Sequence, residues 1–269
     1  MSWQRINILM RFDIYYSLTR LKSWVFLMPF SLCWFVVFRQ INKGVTDMLQ
    51  SQEGIMITSA VYGTDGALNL FIDNPPSISL FYIISLTTIP FFVVLASYDQ
   101  FSTDLGSGFL RFLIARCKRI EIFFARFLSA FSILAVAFLI VTIICAILSI
   151  RNDGYATTEV LLYSVEIYFI LLLYALPFVA YMSVISSLVN STLASIFLGM
   201  FGYAGIWFLN LFTFFTEQKD IFSYLLPNSM KQYLIELDSN NFFMALAILP
   251  IYFLIYAGLG FKVFSRRNL

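Results

Sequence analysis

The chain has 269 residues, of which 60% are apolar and only 12% charged, and its mean hydropathy is +0.85. A soluble domain of this length needs far more charged surface, so the composition excludes an ordinary soluble protein. Histidine is absent, which excludes His-based nucleophilic triads and His-ligated metals, and the basic residues form no stripe on a soluble module, so no nucleic-acid partner is expected.

The first predicted element is a helix over residues 1–22 that lies in the membrane interface. Its apolar residues recur at steps of three and four, and arginines supply a charged edge, which is typical of an interfacial helix. The apolar positions are Trp3, Ile6, Met10, Ile14, Leu18 and Leu21. A simple helical extension of the first membrane span is the alternative interpretation.

Six apolar segments follow, and each is about as long as the roughly 20 residues that a helix needs to cross a bilayer. The polar run Ser183–Thr192 divides one long uncharged stretch into two antiparallel spans. Short helices starting near Pro227 are expected at the outer interface, between the fifth and sixth spans. The sequence therefore predicts an all-α membrane protein with one transmembrane domain over residues 1–269. The spans are placed at about 23–40, 77–98, 126–150, 160–184, 192–216 and 241–262.

Positive charge is distributed unequally across these spans. Twelve of the seventeen lysines and arginines fall on one side, in residues 1–22, in the loop between spans two and three, and after span six. The other side holds Arg39, Lys43, Arg151, Lys219 and Lys231. By the positive-inside rule, both termini are predicted to be cytoplasmic.

The basic loop between the second and third spans is the predicted contact site for a cytoplasmic partner. Asp104 is expected to cap or turn the chain, and Gly106 and Gly108 to relax the backbone. A short helix should follow, with an apolar side and an arginine edge. Its apolar side includes Phe109 and Phe112, and its edge is Arg111 and Arg116. The alternative is that the loop is basic only because cytoplasmic loops carry an excess of lysine and arginine, and that it binds no partner.

The order of residues in this loop resembles the cytoplasmic loop of ABC-2-type permeases, the transmembrane subunits of ABC exporters with a type V exporter-like fold. The shared order is an acid, an acid–x–Gly, an apolar helix, basic residues and then Glu–Ile before a new span. The matching residues are Asp99, Asp104, Gly106 or Gly108, Arg116, Arg119 and Glu121. The Leu226–Pro227 turn and the six spans are also similar. The chain departs from the family in having aspartate where glutamate is common, and Arg126 where lysine is common.

The resemblance implies a homodimer or heterodimer of permease chains, bound to cytoplasmic ABC ATPase subunits in a bacterial cytoplasmic (inner) membrane. The segment Gly108–Arg116 would be a coupling helix that docks on the ATPase. The chain has no G-x-x-x-x-G-K phosphate loop, so it is not expected to hold ATP itself. The resemblance implies a transport subunit that is no enzyme and binds no cofactor or metal. ATP and Mg are expected in the partner.

Two further features of the spans have open interpretations. Glu166 is an acid inside an apolar run, and it has either an interfacial placement or a substrate-facing, proton-linked role. Gly199, Gly202 and Gly205 form a small-residue surface that suits close packing within the chain or a dimer seam along an exit path. The aromatic residues that would line this path include Phe201 and Phe208.

Three classes of function are compatible with these features. The first is the permease subunit of an ABC exporter. The second is a non-catalytic membrane protein, such as an assembly or immunity factor, or a secondary transporter. The third is an intramembrane enzyme, for which the spans offer few convergent polar groups beyond Glu166.

Overall fold

The computed structural model describes residues 2–19, 24–41, 43–215, 223–237 and 239–267. Within these ranges the chain is helical and contains no strand. The predicted all-α class is therefore confirmed. Each of the six segments predicted to span the membrane is helical where it is described, with bounds that differ from the predicted ones by at most seven residues.

The first part of the chain forms two helices of 17 residues and three shorter ones. They are α1 (Trp3–Thr19), α2 (Trp24–Gln40), α3 (Lys43–Gln50), α4 (Gln52–Tyr62) and α5 (Thr64–Leu68), and α5 continues as a π-helical turn over Asn69–Asp73. Ser51 starts α4, because its hydroxyl accepts a hydrogen bond from the Gly54 amide at 3.2 Å.

The remaining helices are α6 (Pro76–Ser97), α7 (Ser102–Ser107), α8 (Leu110–Ile114), α9 (Arg119–Asn152), α10 (Thr157–Leu188) and α11 (Thr192–Phe215), followed by the 3-10 turns Ser223–Leu225 and Pro227–Met230, α12 (Lys231–Ile235) and α13 (Asn240–Arg266). Of these helices, α6, α9, α10, α11 and α13 are long, and α7, α8 and α12 have only five or six residues. Pro76 fits the first turn of α6, where no intrahelical amide donor is needed. Gly154, with φ +74°, separates α9 from α10.

Within the described residues, four stretches are long and apolar enough to cross a membrane, and they mark the chain as an integral membrane protein. They are Pro76–Ser107, Arg119–Asn152, Thr157–Leu188 and Asn240–Arg266. A fifth is formed if α2 and α3, which are bent by 69°, are counted as one span.

The helix α10 lies at the centre of the bundle and contacts α6, α9 and α13. Aromatic side chains join the neighbouring helices. The ring of Phe30 in α2 lies 5.0 Å from that of Phe92 in α6 and 5.5 Å from that of Phe138 in α9. These edge-on contacts attach α2 to the bundle. The N-terminal helix α1 packs along α9.

Two polar contacts mark the two ends of the bundle. At the first, the hydroxyls of Ser79 and Tyr163 lie 3.1 Å apart. At the second, the Ser183 hydroxyl donates to Gln100 Oε1 at 2.8 Å. Tyr163 and Ser183 are separated along α10 by about 30 Å at 1.5 Å per residue, which matches the thickness of a hydrocarbon core. We call the end with Gln100 and Ser183 the loop end, and the other the far end.

Residues 223–237, which we call the inserted segment, do not lie where the sequence predicts. A short helix at the outer interface was expected, but the segment packs against the middle of the bundle. Tyrosine hydroxyls from three helices bond to it: Tyr256 donates to the Leu225 carbonyl, Tyr174 to Asn228 Oδ1 at 3.3 Å, and Tyr82 to the Leu234 carbonyl at 2.6 Å. These bonds satisfy polar groups that the short, irregular helices leave open.

Candidate functional site

The loop between α6 and α9 folds as two short helices. The second, α8, is the helix predicted within Gly108–Arg116, and α7 is an additional helix before it. Gly108 separates them with φ +72°, a left-handed conformation that side chains rarely adopt. Gly106 has a different role, because a Cβ there would collide with the carbonyl oxygen of Asn190. Gly106 therefore lets the loop contact the turn between α10 and α11.

One side of α8 is buried and the other is open. Leu110 is fully buried in a small apolar cluster at the loop end, together with Phe101, Phe123 and Phe264. In contrast, Phe112 is 74% exposed. Phe109, Arg111 and Arg116 are exposed as well. The predicted pairing of aromatic and basic residues is therefore present on an open surface, supported by a buried leucine.

A cluster of charges lies behind this surface. The guanidinium of Arg126 is 2.7 Å from Asp13 Oδ1 and also pairs with Asp104 Oδ2. Asp104 therefore binds Arg126 from the first turn of α7, a role that differs from the predicted cap or turn residue. Asp99, one turn before Thr103, accepts a hydrogen bond from the Thr103 hydroxyl.

Asp13 is the member of this cluster that the sequence pattern missed. It lies on α1, is only 4% exposed, and faces α9 together with Ile6. Burial raises the pKa of Asp13 to about 6; the nearby Arg126 lowers it, and the charges of Asp104 and Asp99 raise it further. The only signal in the sequence was that Asp13 is the single acid in a helix whose other charged residues are arginines.

The predicted apolar positions of α1 are divided between buried and exposed environments. Trp3 is 70% exposed, whereas Ile6 and Asp13 are the buried positions. Leu9 packs against the loop-end cluster. The side chain of Leu18 and the whole of Leu21 lie outside the described part of the chain. Which face of α1 is buried therefore depends on the ion pair with Arg126 of α9 as well as on apolarity.

A polar cavity of about 50 Å³ borders the charge cluster. It is lined by Asp13, Asp99, Gln100, Thr103, Asp104 and Arg126, among others. Two of the buried polar atoms that have no hydrogen-bond partner in the described ranges belong to residues lining this cavity, and they are Asp13 Oδ2 and Gln100 Nε2. The cavity has the size and polarity to hold ordered water. No group of three or more acids or cysteines in the described chain is placed to hold a metal ion.

Glu121 attaches the N-terminal helix to the loop. Its carboxylate is buried and accepts hydrogen bonds from the amides of Lys118 at 3.2 Å and Ser2 at 2.7 Å. The Arg5 guanidinium is 3.9 Å from the same carboxylate and donates to the Arg116 carbonyl at 3.3 Å. The predicted coupling residue Glu121 thus starts α9 and holds α1 against it.

Arg119 connects the same point to the end of α13. Its guanidinium donates to the carbonyls of Ser265 and Arg267, the latter at 3.1 Å. Arg267 in turn donates to the Ser187 carbonyl and, at 2.5 Å, to Asn190 Oδ1. Residues 99–126, which we call the loop-end platform, are therefore bonded to α1 and to the end of α13, and through Arg267 they are linked to the turn between α10 and α11.

The predicted pathway residues are divided between two environments. A Cβ at Gly199 would lie 2.8 Å from Met182 Sδ, and one at Gly202 would collide with the Tyr181 hydroxyl, so both glycines serve packing within the chain. Gly205 has open space around its Cα. Two aromatic residues of α11, Phe201 and Phe208, are 68% and 61% exposed.

Glu166 lies away from the loop-end platform. It occupies α10 one turn after Tyr163, close to the far end of the bundle. Its side chain is exposed on the surface of the bundle. The structure thus separates Glu166 from the platform by most of the length of α10.

The model of one protein family matches residues 58–269 of the chain, and its description reads "Protein of unknown function (DUF2705)". The match covers the loop-end platform and every long helix from α6 onward. It begins inside α4, so α1 and Asp13 precede it. A search of curated proteins finds no match.

Proposed function

The chain belongs to the DUF2705 family of proteins of unknown function, and we propose that it is the permease subunit of an ABC exporter. In this proposal, two permease chains associate in the bacterial cytoplasmic membrane and bind cytoplasmic ABC ATPase subunits. The ATPases hold ATP and Mg, and their hydrolysis drives movement of a substrate through the permease. The chain itself carries out no reaction.

The loop-end platform is the observation that carries the proposal. A surface that receives force from a motor needs contact residues open to the partner and a firm attachment to the helices that move. Phe112 and Arg111 meet the first requirement, since both are exposed on α8. Glu121 and Arg119 meet the second, because they join the platform to α1 and α13.

The distribution of charge supports an inward orientation of this platform. The exposed side chains of Arg111, Arg116 and Lys118 lie at the loop end, and the positive-inside rule places such groups in the cytoplasm. We propose that α2, α6, α9, α10, α11 and α13 are the six spans and that both ends of the chain are cytoplasmic. The helix α1 then lies in the cytoplasmic interface.

We place the second permease chain against the open face of α11. Phe201 and Phe208 are large apolar side chains on this face, and Gly205 leaves space beside them. Small and aromatic residues suit helix contacts in a bilayer, where close approach supplies most of the attraction. The same face would border the substrate path.

Co-expression with an ABC ATPase from the same genome tests the proposal. We expect the two proteins to co-purify, and the double variant Arg111→Glu with Arg116→Glu to lose stimulation of ATP hydrolysis while its melting temperature is unchanged. Arg151→Glu is the matched control, because Arg151 is also exposed but lies at the far end. A chain that purifies alone in the presence of this ATPase contradicts the proposal.

A further inference from the structure

The inserted segment places a lysine at the middle depth of the bundle. Lys231 Nζ donates to the hydroxyl of Thr87 in α6 at 2.7 Å. Along α6 and the loop after it, Thr87 is eight residues from Ser79 and thirteen from Gln100, which corresponds to about 12 Å and 20 Å. Since Ser79 and Gln100 mark the two ends of the bundle, the ammonium lies between these ends, which in the proposed topology is the depth of the hydrocarbon layer.

The positive charge of Lys231 is not neutralised within the described part of the chain. Thr87 is uncharged, and its own hydroxyl donates to the Ile83 carbonyl at 2.9 Å. Neither described ion-pair cluster, that of Arg126 or that of Arg5, includes Lys231. An ammonium has three donors, and the described residues use one of them.

The lysine lies at the outer face of the bundle. Thr87 is exposed, and so is Phe91 one turn further along α6. A cation that faces lipid at this depth costs about 3 kcal/mol or more. The four-carbon stem of lysine cannot span the roughly 12 Å to the far end. The face of α6 that carries Thr87 must therefore border water or an anionic group.

We propose that Lys231 and Thr87 form a binding site for an anionic phosphate group in a water-filled pathway along α6. This inference rests on the proposed function, because it names the class of substrate that the permease would carry. The ammonium binds the anionic oxygens, and the Thr87 hydroxyl orients the ammonium. The exposed ring of Phe91 suits the apolar part of an amphiphilic molecule.

Amine labelling of the wild-type chain in sealed membrane vesicles tests this site. A membrane-impermeant amine reagent is added from the outer side, and the modified lysines are identified by mass spectrometry. Lys43 is the positive control, since it is exposed near the far end. Lys118 is the opposite control, because it is exposed at the loop end and should react only after the vesicles are opened. We expect Lys231 to react from outside.

Protection by three probes then identifies the ligand chemistry. We expect dodecyl phosphate to slow labelling of Lys231 about threefold when present at twice its dissociation constant, with no effect on Lys43 and no effect of dodecyl maltoside. Equal protection by inorganic phosphate assigns the site to the free anion; protection by dodecyl phosphate alone assigns it to an amphiphile. Both results support the anion site.

Two results would overturn the inference. An unreactive Lys231 beside a fully labelled Lys43 excludes the water-filled pathway. A reactive Lys231 that neither phosphate probe protects excludes the anion site. The assay needs no ATPase, so loss of ATPase binding would refute the proposed function without changing the labelling result.

Discussion

Asp13 of α1 lies 2.7 Å from Arg126 of α9, and the same guanidinium pairs with Asp104 of α7. One cation therefore joins three helices, and α1 is far from the other two in the sequence. The N-terminal helix is bound to the loop-end platform through this cation and through Glu121. A movement of the platform would be passed to α1, and through α9 to the bundle.

The buried carboxyl of Asp13 makes stability depend on pH. Its pKa is raised from 3.8 to about 6 in the folded chain, so the folded state holds the proton more tightly than the unfolded state. The contribution of Asp13 to the free energy of unfolding therefore falls as pH rises between these values, on the order of 3 kcal/mol in total, and stays level above pH 6.

Thermal unfolding in detergent across this pH range measures the effect. We expect Asp13→Asn to remove the decline and to be as stable as the wild type, or more so, at pH 7. Asp47→Asn is the control, because Asp47 is exposed and its variant should follow the wild-type profile. Identical pH profiles for the wild type and Asp13→Asn would contradict the burial argument.

Removal of the shared cation, Arg126, should lower the free energy of unfolding more than removal of either acid. Arg126→Met leaves Asp13 and Asp104 facing each other without a counter-charge, and we expect a loss of about 3 kcal/mol. Adding Asp13→Asn to this variant should restore part of the loss, since the two changes affect one network. Chemical unfolding of both single variants and the double variant gives the coupling energy, and strictly additive effects would refute the network.

Leu110 and Phe112 form a matched pair on α8. Leu110 is fully buried and Phe112 is 74% exposed. We expect Leu110→Ala to reduce the free energy of unfolding by about 2–4 kcal/mol. Phe112→Ala should change it by less than about 0.5 kcal/mol while weakening ATPase binding at least severalfold. Melting temperatures and pull-down yields separate the two effects. Unchanged ATPase binding by Phe112→Ala would remove this side chain from the docking surface.

Gly106 and Gly205 provide a second matched pair. A methyl group at Gly106 meets the backbone of Asn190, which has little freedom to move, whereas one at Gly205 meets open space. We expect Gly106→Ala to lower stability by about 1–3 kcal/mol and Gly205→Ala to leave it unchanged or raise it by up to about 1 kcal/mol. Thermal melts check both, and a stable Gly106→Ala would show that the loop does not contact the turn after α10.

The long apolar helices could be predicted because the length and apolarity of a segment are enough to identify it as a helix of this kind. The predicted spans 23–40 and 192–216 match α2 and α11 to within one residue at each end. The basic, aromatic surface of α8 could also be predicted, since exposure of arginine follows from its charge. These properties are local in the sequence.

The charge cluster and the inserted segment could not be predicted, because their causes are not local. Asp13 is buried by a guanidinium 113 residues later in the chain, and a periodic pattern registers only apolarity. The inserted segment contains Lys231 and Pro227, which favour a surface position. The segment is held against the middle of the bundle by hydrogen bonds from tyrosines of α6, α10 and α13. No short-range sequence pattern connects these tyrosines to the segment.

The bonds from Arg119 to the carbonyls of Ser265 and Arg267 bear on how the protein is made. The ribosome completes α9 long before it reaches α13, so the acceptors for this guanidinium do not exist while the intervening helices enter the bilayer. The loop-end platform becomes fully braced only as the final helix is inserted. Under the proposed function, recruitment of the partner ATPase would thereby be delayed until synthesis has passed this point, and the ATPase would hydrolyse no ATP on incomplete chains.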